Sequence, residues 1–195
     1  FFYKLHINLV NFKIRHICVF SIKKIMKSSK NIVFLGMMGS GKTSIGFLLS
    51  KKLKLDFYDV DIYIEKKLNM KISEIFKNKG EEFFRKEEER VTLNILKKKK
   101  GIIALGGGGF LNKNIRDEVL KNHLSFWLKL DSDILLDRIK NSSKRPLTIN
   151  ASINELKNMI KKRSKYYSQA LFKIDCNNQS KKEIINKILD NYESN

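Results

Sequence analysis

Residues Asn31 to Leu53 read NIVFLGMMGSGKTSIGFLLSKKL, and this stretch decides the fold. Ile32 to Leu35 form an apolar run of strand length, and an amphipathic helical pattern follows from Thr43 to Leu53. Between them, Gly36, Met37, Met38, Gly39, Ser40, Gly41, Lys42 and Thr43 match the phosphate-cradling pattern G-x-x-x-x-G-K-[ST] in full. Glycines let backbone amides point inward around phosphate oxygens, and the following helix adds its positive N-terminal end. The Lys42 ammonium neutralises charge on a transferring phosphoryl group, and the Thr43 hydroxyl ligates magnesium. A chance glycine-rich turn would lack the strand before it and the helix after it.

Outward from this stretch, short apolar runs alternate with helical patterns. Phe57 to Tyr58 precede Ile62 to Leu68, and further runs fall at Ile102 to Leu105, Leu124 to Leu130 and Phe172 to Ile174. That alternation predicts βαβ units, hence an α/β fold of the P-loop NTPase type in three layers. Its centre is a five-stranded parallel sheet, doubly wound with helices on both faces. The only proline, Pro146, lies in a polar stretch from Asn141 to Ser152, which predicts a lid over about 141–152.

Seven of the ten glycines lie in two places, Gly36, Gly39 and Gly41 in the first loop and Gly106 to Gly109 after the strand Ile102 to Leu105. The second cluster also ends a strand, so it is either a ligand loop facing the same crevice or a flexible turn. Asp59 and Asp61 follow the short strand Phe57 to Tyr58, and in extended geometry residues two apart project to one side. By itself an Asp-x-Asp is turn or cap chemistry, but one βα unit after a phosphate loop it predicts a metal-shell acid and a second acid that orients a hydroxyl.

Helical spacing selects further residues. From Gly80 to Leu96, Phe84, Val91 and Ile95 form a stripe at spacings 7 and 4, and Glu88 falls on the same face. Either Glu88 holds Arg85, three residues earlier, or it belongs to the solvated run Lys86 to Glu89. In the helix beginning near Ser152, Ile153, Leu156, Ile160, Arg163 and Tyr167 recur at spacings 3, 4, 3 and 4, so Arg163 faces inward and must reach a carboxylate of protein or ligand. If Arg85 and Arg163 both line the crevice, they form a fork receptor for a small anion such as a substrate carboxylate.

The net charge of +20 ordinarily suggests a polyanionic partner. Of 40 basic residues, however, 33 are Lys, spread along the chain without an aromatic-rich binding motif, which predicts a solvated surface and no nucleic-acid or membrane partner. Where the chain uses Arg instead, at Arg85, Arg138, Arg145 and Arg163, its rigid fork becomes the point of interest. Cys18 and Cys176 make no metal-ligand or disulfide pattern, and no apolar run approaches the roughly 20 residues of a membrane span. A cytoplasmic monomer is the expectation. Residues 1–25 contain no acid and precede Met26, so they are expected to be an over-extended frame or a targeting segment, leaving 26–195 as one domain.

Together, the Gly36 to Thr43 loop, Asp59-Val60-Asp61, Gly80-Glu81-x-x-Phe84-Arg85 with Glu88, Gly106 to Gly108, Arg145-Pro146-Leu147, and Arg163 ahead of Tyr167 resemble the shikimate kinase family from about Asn31 to Tyr192. The resemblance implies transfer of the ATP γ-phosphate to the 3-hydroxyl of shikimate, with Mg2+ as cofactor. It assigns ATP contacts to Gly39, Ser40, Gly41, Lys42, Thr43, Ser44, Arg138 and Arg145, metal contacts to Thr43 and Asp59, and catalysis to Lys42 and Asp61. Shikimate would be held by Asp61, Arg85, Gly107, Gly108 and Arg163. Three positions depart from the family pattern: Ala104, where relatives often place Ser or Thr, the Asp175 to Asn178 loop without an adenine-side Arg, and the fourth glycine, Gly109. The competing readings are another small P-loop metabolite kinase, such as a gluconate kinase, and a nucleotide-dependent nucleic-acid-binding protein.

Overall fold

The computed structural model describes residues 30–98, 100–140 and 151–193. Residues 1–25 with Met26, and the lid segment 141–150 with Arg145 and Pro146, lie outside the described residues.

The strand β1 (Ile32–Leu35) is buried along its whole length, as a four-residue apolar run at the centre of a parallel sheet must be. Helix α1 (Lys42–Leu53) leaves the phosphate loop through Gly41, whose φ of 93° is a left-handed conformation that glycine adopts without strain. The edge strand β2 (Asp56–Asp59) leads directly into α2 (Val60–Leu68). A long helical segment, α3 (Ile72–Leu96), is broken at Gly80, where φ 80° and ψ 168° are open only to glycine. A Cβ there would meet nothing within 4 Å, so backbone conformation and not space demands the glycine.

β3 (Gly101–Ala104) precedes a 3-10 turn at Gly109–Leu111 and then α4 (Lys113–Asn122), β4 (Leu124–Lys129) and α5 (Ser132–Lys140). α6 (Ile153–Tyr167), β5 (Phe172–Asp175) and α7 (Lys181–Glu193) complete the described chain. All five strands are parallel in the order β2-β3-β1-β4-β5. Phe34, Phe126 and Phe172 stand in register across β1, β4 and β5, with Phe126 and Phe172 stacked at 4.6 Å between ring centroids. The Asn31 side chain ties the lower end of the sheet, donating to the Leu96 and Lys98 carbonyls at 2.9 and 3.0 Å and accepting from the Gly101 N–H at 2.8 Å.

β1 lies between β3 and β4, so the chain changes direction across it, and the loops after β1 and β3 emerge side by side at the carboxyl edge. Open α/β sheets bind ligands at such a switch point. The expected architecture and the five strands are present, with strand ends shifted by one residue at most places. One expectation is corrected: Asp59 and Asp61 do not project together from an extended strand. Asp59 ends β2 and caps α2, accepting from the Ile62 N–H at 3.3 Å, while Asp61 sits in the first helical turn. A helix start, not strand alternation, brings the two carboxylates to the crevice.

Candidate active site

Two cavities of about 580 and 600 Å³ open on the carboxyl edge, and Thr43, Asp59 and Asp61 are the residues common to both linings. The first cavity is lined by Gly39, Ser40, Gly41, Lys42, Thr43, Ser44 and Arg138, all expected nucleotide contacts. The second is lined by Asp61, Arg85, Gly107, Gly108 and Arg163, all expected acceptor contacts. Arg145, expected on the nucleotide, lies outside the described residues.

The phosphate loop is braced from within. The buried Lys42 ammonium donates to the Gly36 and Met37 carbonyls at 2.8 and 2.9 Å, and the Ser40 N–H donates to the Met37 carbonyl at 3.2 Å. Arg138, from α5, donates to the Gly39 carbonyl at 3.0 Å and so closes the outer side of the loop. The buried Ser40 hydroxyl has no hydrogen-bond partner among the described residues.

At the junction of the cavities, the Thr43 hydroxyl donates to Asp59 Oδ2 at 2.6 Å. Asp59 thus serves as helix cap with one oxygen and binds Thr43 with the other. β3 places Ala104 beside Asp59 in the sheet register, so no side-chain hydroxyl comes from that strand.

The second cavity is organised by the glycines after β3. A Cβ on Gly106 would lie 2.6 Å from Asp61 Oδ1 and closer still to Glu88 Oε1. On Gly107 it would lie 3.3 Å from Arg163 Nη1, and on Gly108 2.5 Å from Arg85 Nη1. Three successive residues therefore approach three different sets of charged groups. That decides between the two readings of the cluster: it is a close-approach loop, and its glycines are a packing requirement. Gly109 is packed less tightly, with ordinary contacts to Glu88 and Leu105.

Glu88 is only 2% exposed and accepts from Arg85 Nη1 at 2.6 Å, so it holds the guanidinium and does not belong to a solvated run. Glu81 binds the other side of Arg85 at 3.0 Å. Burial lowers the Arg85 pKa, but the pairing with Glu88 and Glu81 outweighs it and holds the group above its ordinary value. Burial pushes the Glu88 carboxyl up, opposed by Arg85. Arg163 is 6% exposed, and burial, with Arg85 nearby, depresses its pKa. No ion pair joins Arg163 to a carboxylate among the described residues. Two inward guanidinia thus face one cavity with a single deeply buried carboxylate between them.

Some lining residues were not readable beforehand. Ile62, Ile72, Phe76 and Phe84 give the acceptor cavity an apolar wall, and Cys176, Gln179, Ser180 and Lys181 line the far end of the nucleotide cavity. Burial pushes the Cys176 thiol up to about 12, so it packs as an inert apolar group. For Ser180 a signal was available: Ser180 and Glu183 form the S-x-x-E capping pattern, with the Ser180 N–H donating to Glu183 at 2.7 Å.

A phosphate loop meeting an anion receptor at two shared carboxylates defines a small-molecule kinase of the P-loop class. The family model for shikimate kinase matches residues 38–193. The shikimate kinase of Bartonella quintana (strain Toulouse) is 38% identical over 90% of this chain and 85% of its own length. That of Thermodesulfovibrio yellowstonii is 40% identical over 84% and 95%. Among solved structures, shikimate kinase from Acinetobacter baumannii in complex with shikimate superposes with a TM-score of 0.82 at 29% identity, covering 88% of this chain and 97% of that one. The chain belongs to the shikimate kinase family.

Proposed function

We propose that this chain, working as one domain over 26–195, is a shikimate kinase that transfers the γ-phosphate of ATP to the 3-hydroxyl of shikimate. The observation that carries the choice of acceptor is Arg163, a buried guanidinium that faces the second cavity without a carboxylate partner among the described residues. Glu88 acts on this charge only from beyond ion-pair distance, and a buried charge without a direct partner costs on the order of 3–5 kcal/mol. A substrate carboxylate held between Arg163 and Arg85, with the Gly107 and Gly108 amides alongside, supplies the compensation. The apolar wall of Ile62, Ile72, Phe76 and Phe84 suits the unsaturated ring face of shikimate.

Lys42 and the loop amides from Gly39 to Ser44 hold the ATP phosphates, and Arg138 closes the loop beside them. Thr43 and Asp59 would hold a Mg2+ ion, since both are hard oxygen donors and their oxygens lie 2.6 Å apart. Among the described residues no cluster of three or more acidic, His or Cys side chains forms a closed metal cage, which agrees with an open, phosphate-sharing site. When bound, the ion would supply charge neutralisation on the phosphates. Asp61 orients the 3-hydroxyl and accepts its proton as the oxygen attacks in line. Catalysis here is mostly positioning and charge neutralisation. One chain lines both cavities, which supports a monomer, acting in the cytoplasm where ATP is supplied.

The test is ADP release by the full chain with ATP and magnesium against shikimate, gluconate, nucleoside monophosphates and RNA, with Asp61→Asn alongside. Shikimate-dependent turnover should fall by about 10² to 10⁴ in the variant, the range of a lost general base. Turnover with another acceptor and none with shikimate would overturn the acceptor assignment.

A further inference from the structure

The proposed mechanism leaves one buried polar group without a task. Tyr167 ends α6, one helical turn after Arg163, and is 1% exposed. Its ring packs against Trp127 at 6.1 Å between centroids, as a core residue on an apolar stripe should. Its buried hydroxyl reaches Met37 of the first glycine loop and Gly107 of the second. It donates to the Gly107 carbonyl through a short hydrogen bond, touches Met37 Sδ at 3.9 Å, and lies beside the Arg163 guanidinium. One oxygen thus connects the first loop, the second loop and the buried arginine.

We propose that Tyr167 is a positioning residue of the acceptor site, whose hydroxyl aims the Arg163 guanidinium and the Gly108 amide at one substrate carboxylate. In a trans peptide the carbonyl and the next N–H point in opposite directions. Anchoring the Gly107 oxygen on Tyr167 therefore turns the Gly108 N–H to the opposite side of the loop, where Gly108 lines the acceptor cavity. The turn is closed by the Gly109 N–H on the Gly106 carbonyl and by the Leu111 N–H on the Gly108 carbonyl, but neither the Gly107 nor the Gly108 N–H donates to a backbone carbonyl among the described residues, so the tyrosine adds the hydrogen bond that the central peptide lacks. The same hydroxyl lies against the Arg163 fork, whose Nη1 stands 3.3 Å from a Cβ built on Gly107. Burial raises the phenol to about 12, so the hydroxyl stays a donor across the working range of pH.

This rests on the acceptor being a carboxylate at Arg163, and the test separates the two ideas. In the full chain, Tyr167→Phe keeps the packed ring and deletes the oxygen. The shikimate KM should rise about ten-fold, the effect of losing about 1.4 kcal/mol of binding, while the ATP KM stays within about two-fold. The preference for shikimate over its analogue with the carboxylate reduced to a hydroxymethyl group should fall by a similar factor, since the lost oxygen aims groups at the carboxylate. A purely structural role would lower the melting temperature and leave that preference unchanged, which would overturn the proposal. Should the variant fail to fold, 3-fluorotyrosine at 167 retains the hydroxyl. Its fluorine resonance is expected to move on adding shikimate but not the reduced analogue, and a resonance insensitive to shikimate refutes the idea. If the unaltered chain shows no shikimate-dependent ADP release, the acceptor assignment falls and this inference with it.

Discussion

Gly108→Ala isolates the close approach between the second glycine loop and Arg85. At Gly108, φ −105° and ψ −15° are open to alanine, so the backbone has no objection to the change. The added Cβ would stand 2.5 Å from Arg85 Nη1 and 2.9 Å from Cζ and Nη2. An ordinary contact needs about 3.5 Å, so the guanidinium must retreat by about 1 Å. Glu88 holds its other face at 2.6 Å, and the side chain is 31% exposed, so retreat means moving outward with Glu81 and away from the cavity. The loss of one charge-assisted hydrogen bond to the acceptor is about 1.5–3 kcal/mol, or about 10- to 150-fold in shikimate KM. The nucleotide cavity is lined by neither residue, so the ATP KM should hold. Removing a glycine also restricts the unfolded chain, so the melting temperature should not fall far. Coupled ADP release at varied shikimate and fixed saturating ATP, with a melting curve, measures all three. A shikimate KM within about two-fold of the parent would refute the reasoning, because a 1 Å displacement at a binding fork cannot be silent.

Two further outcomes follow from other parts of the molecule. Chelating divalent ions should abolish turnover and magnesium should restore it, and Asp59→Asn should raise the magnesium requirement about 10- to 100-fold with little change in shikimate KM; an unchanged requirement would separate Asp59 from the metal. His123, whose ring nitrogen Nδ1 lies 3.4 Å from both the Asn31 N–H and its side-chain amide, is pulled below its ordinary 6.5 by burial, with Lys30 adding and Glu118 opposing. Protonation therefore favours the unfolded chain, so this stability is complete above pH 6.5 and is lost as pH falls through the depressed folded value. Denaturant titrations from about pH 7.5 to about pH 5 should show the decline, and His123→Gln should flatten it.

The legible parts of the site are those encoded in short spacing. The phosphate loop needs its glycines and Lys42 at fixed offsets because backbone amides do the binding, so the pattern is visible in eight consecutive residues. Glu88 and Arg163 stood out because a charge on an apolar stripe is a packing anomaly at helical period. The Asp59 and Asp61 pair was located by position, but the cause was misread, because a two-residue spacing looks the same whether the chain stays extended or turns into a helix. Helix α4, the first half of α3 and α7 escaped notice, since polar surface residues dilute their short apolar patterns.

The sequence by itself determined the fold class and the nucleotide loop, because each rests on local backbone geometry or on short-range period, and it singled out Arg163 as a charge on an apolar helical face. Tertiary structure alone decided which groups share a cavity. Three glycines admit Asp61 with Glu88, Arg163 and Arg85 in succession, and the Tyr167 hydroxyl joins residues 130 and 60 positions apart from it. No spacing rule reports such meetings, because they arise from the parallel sheet setting the ends of β1 and β3 side by side and α6 folding back across them.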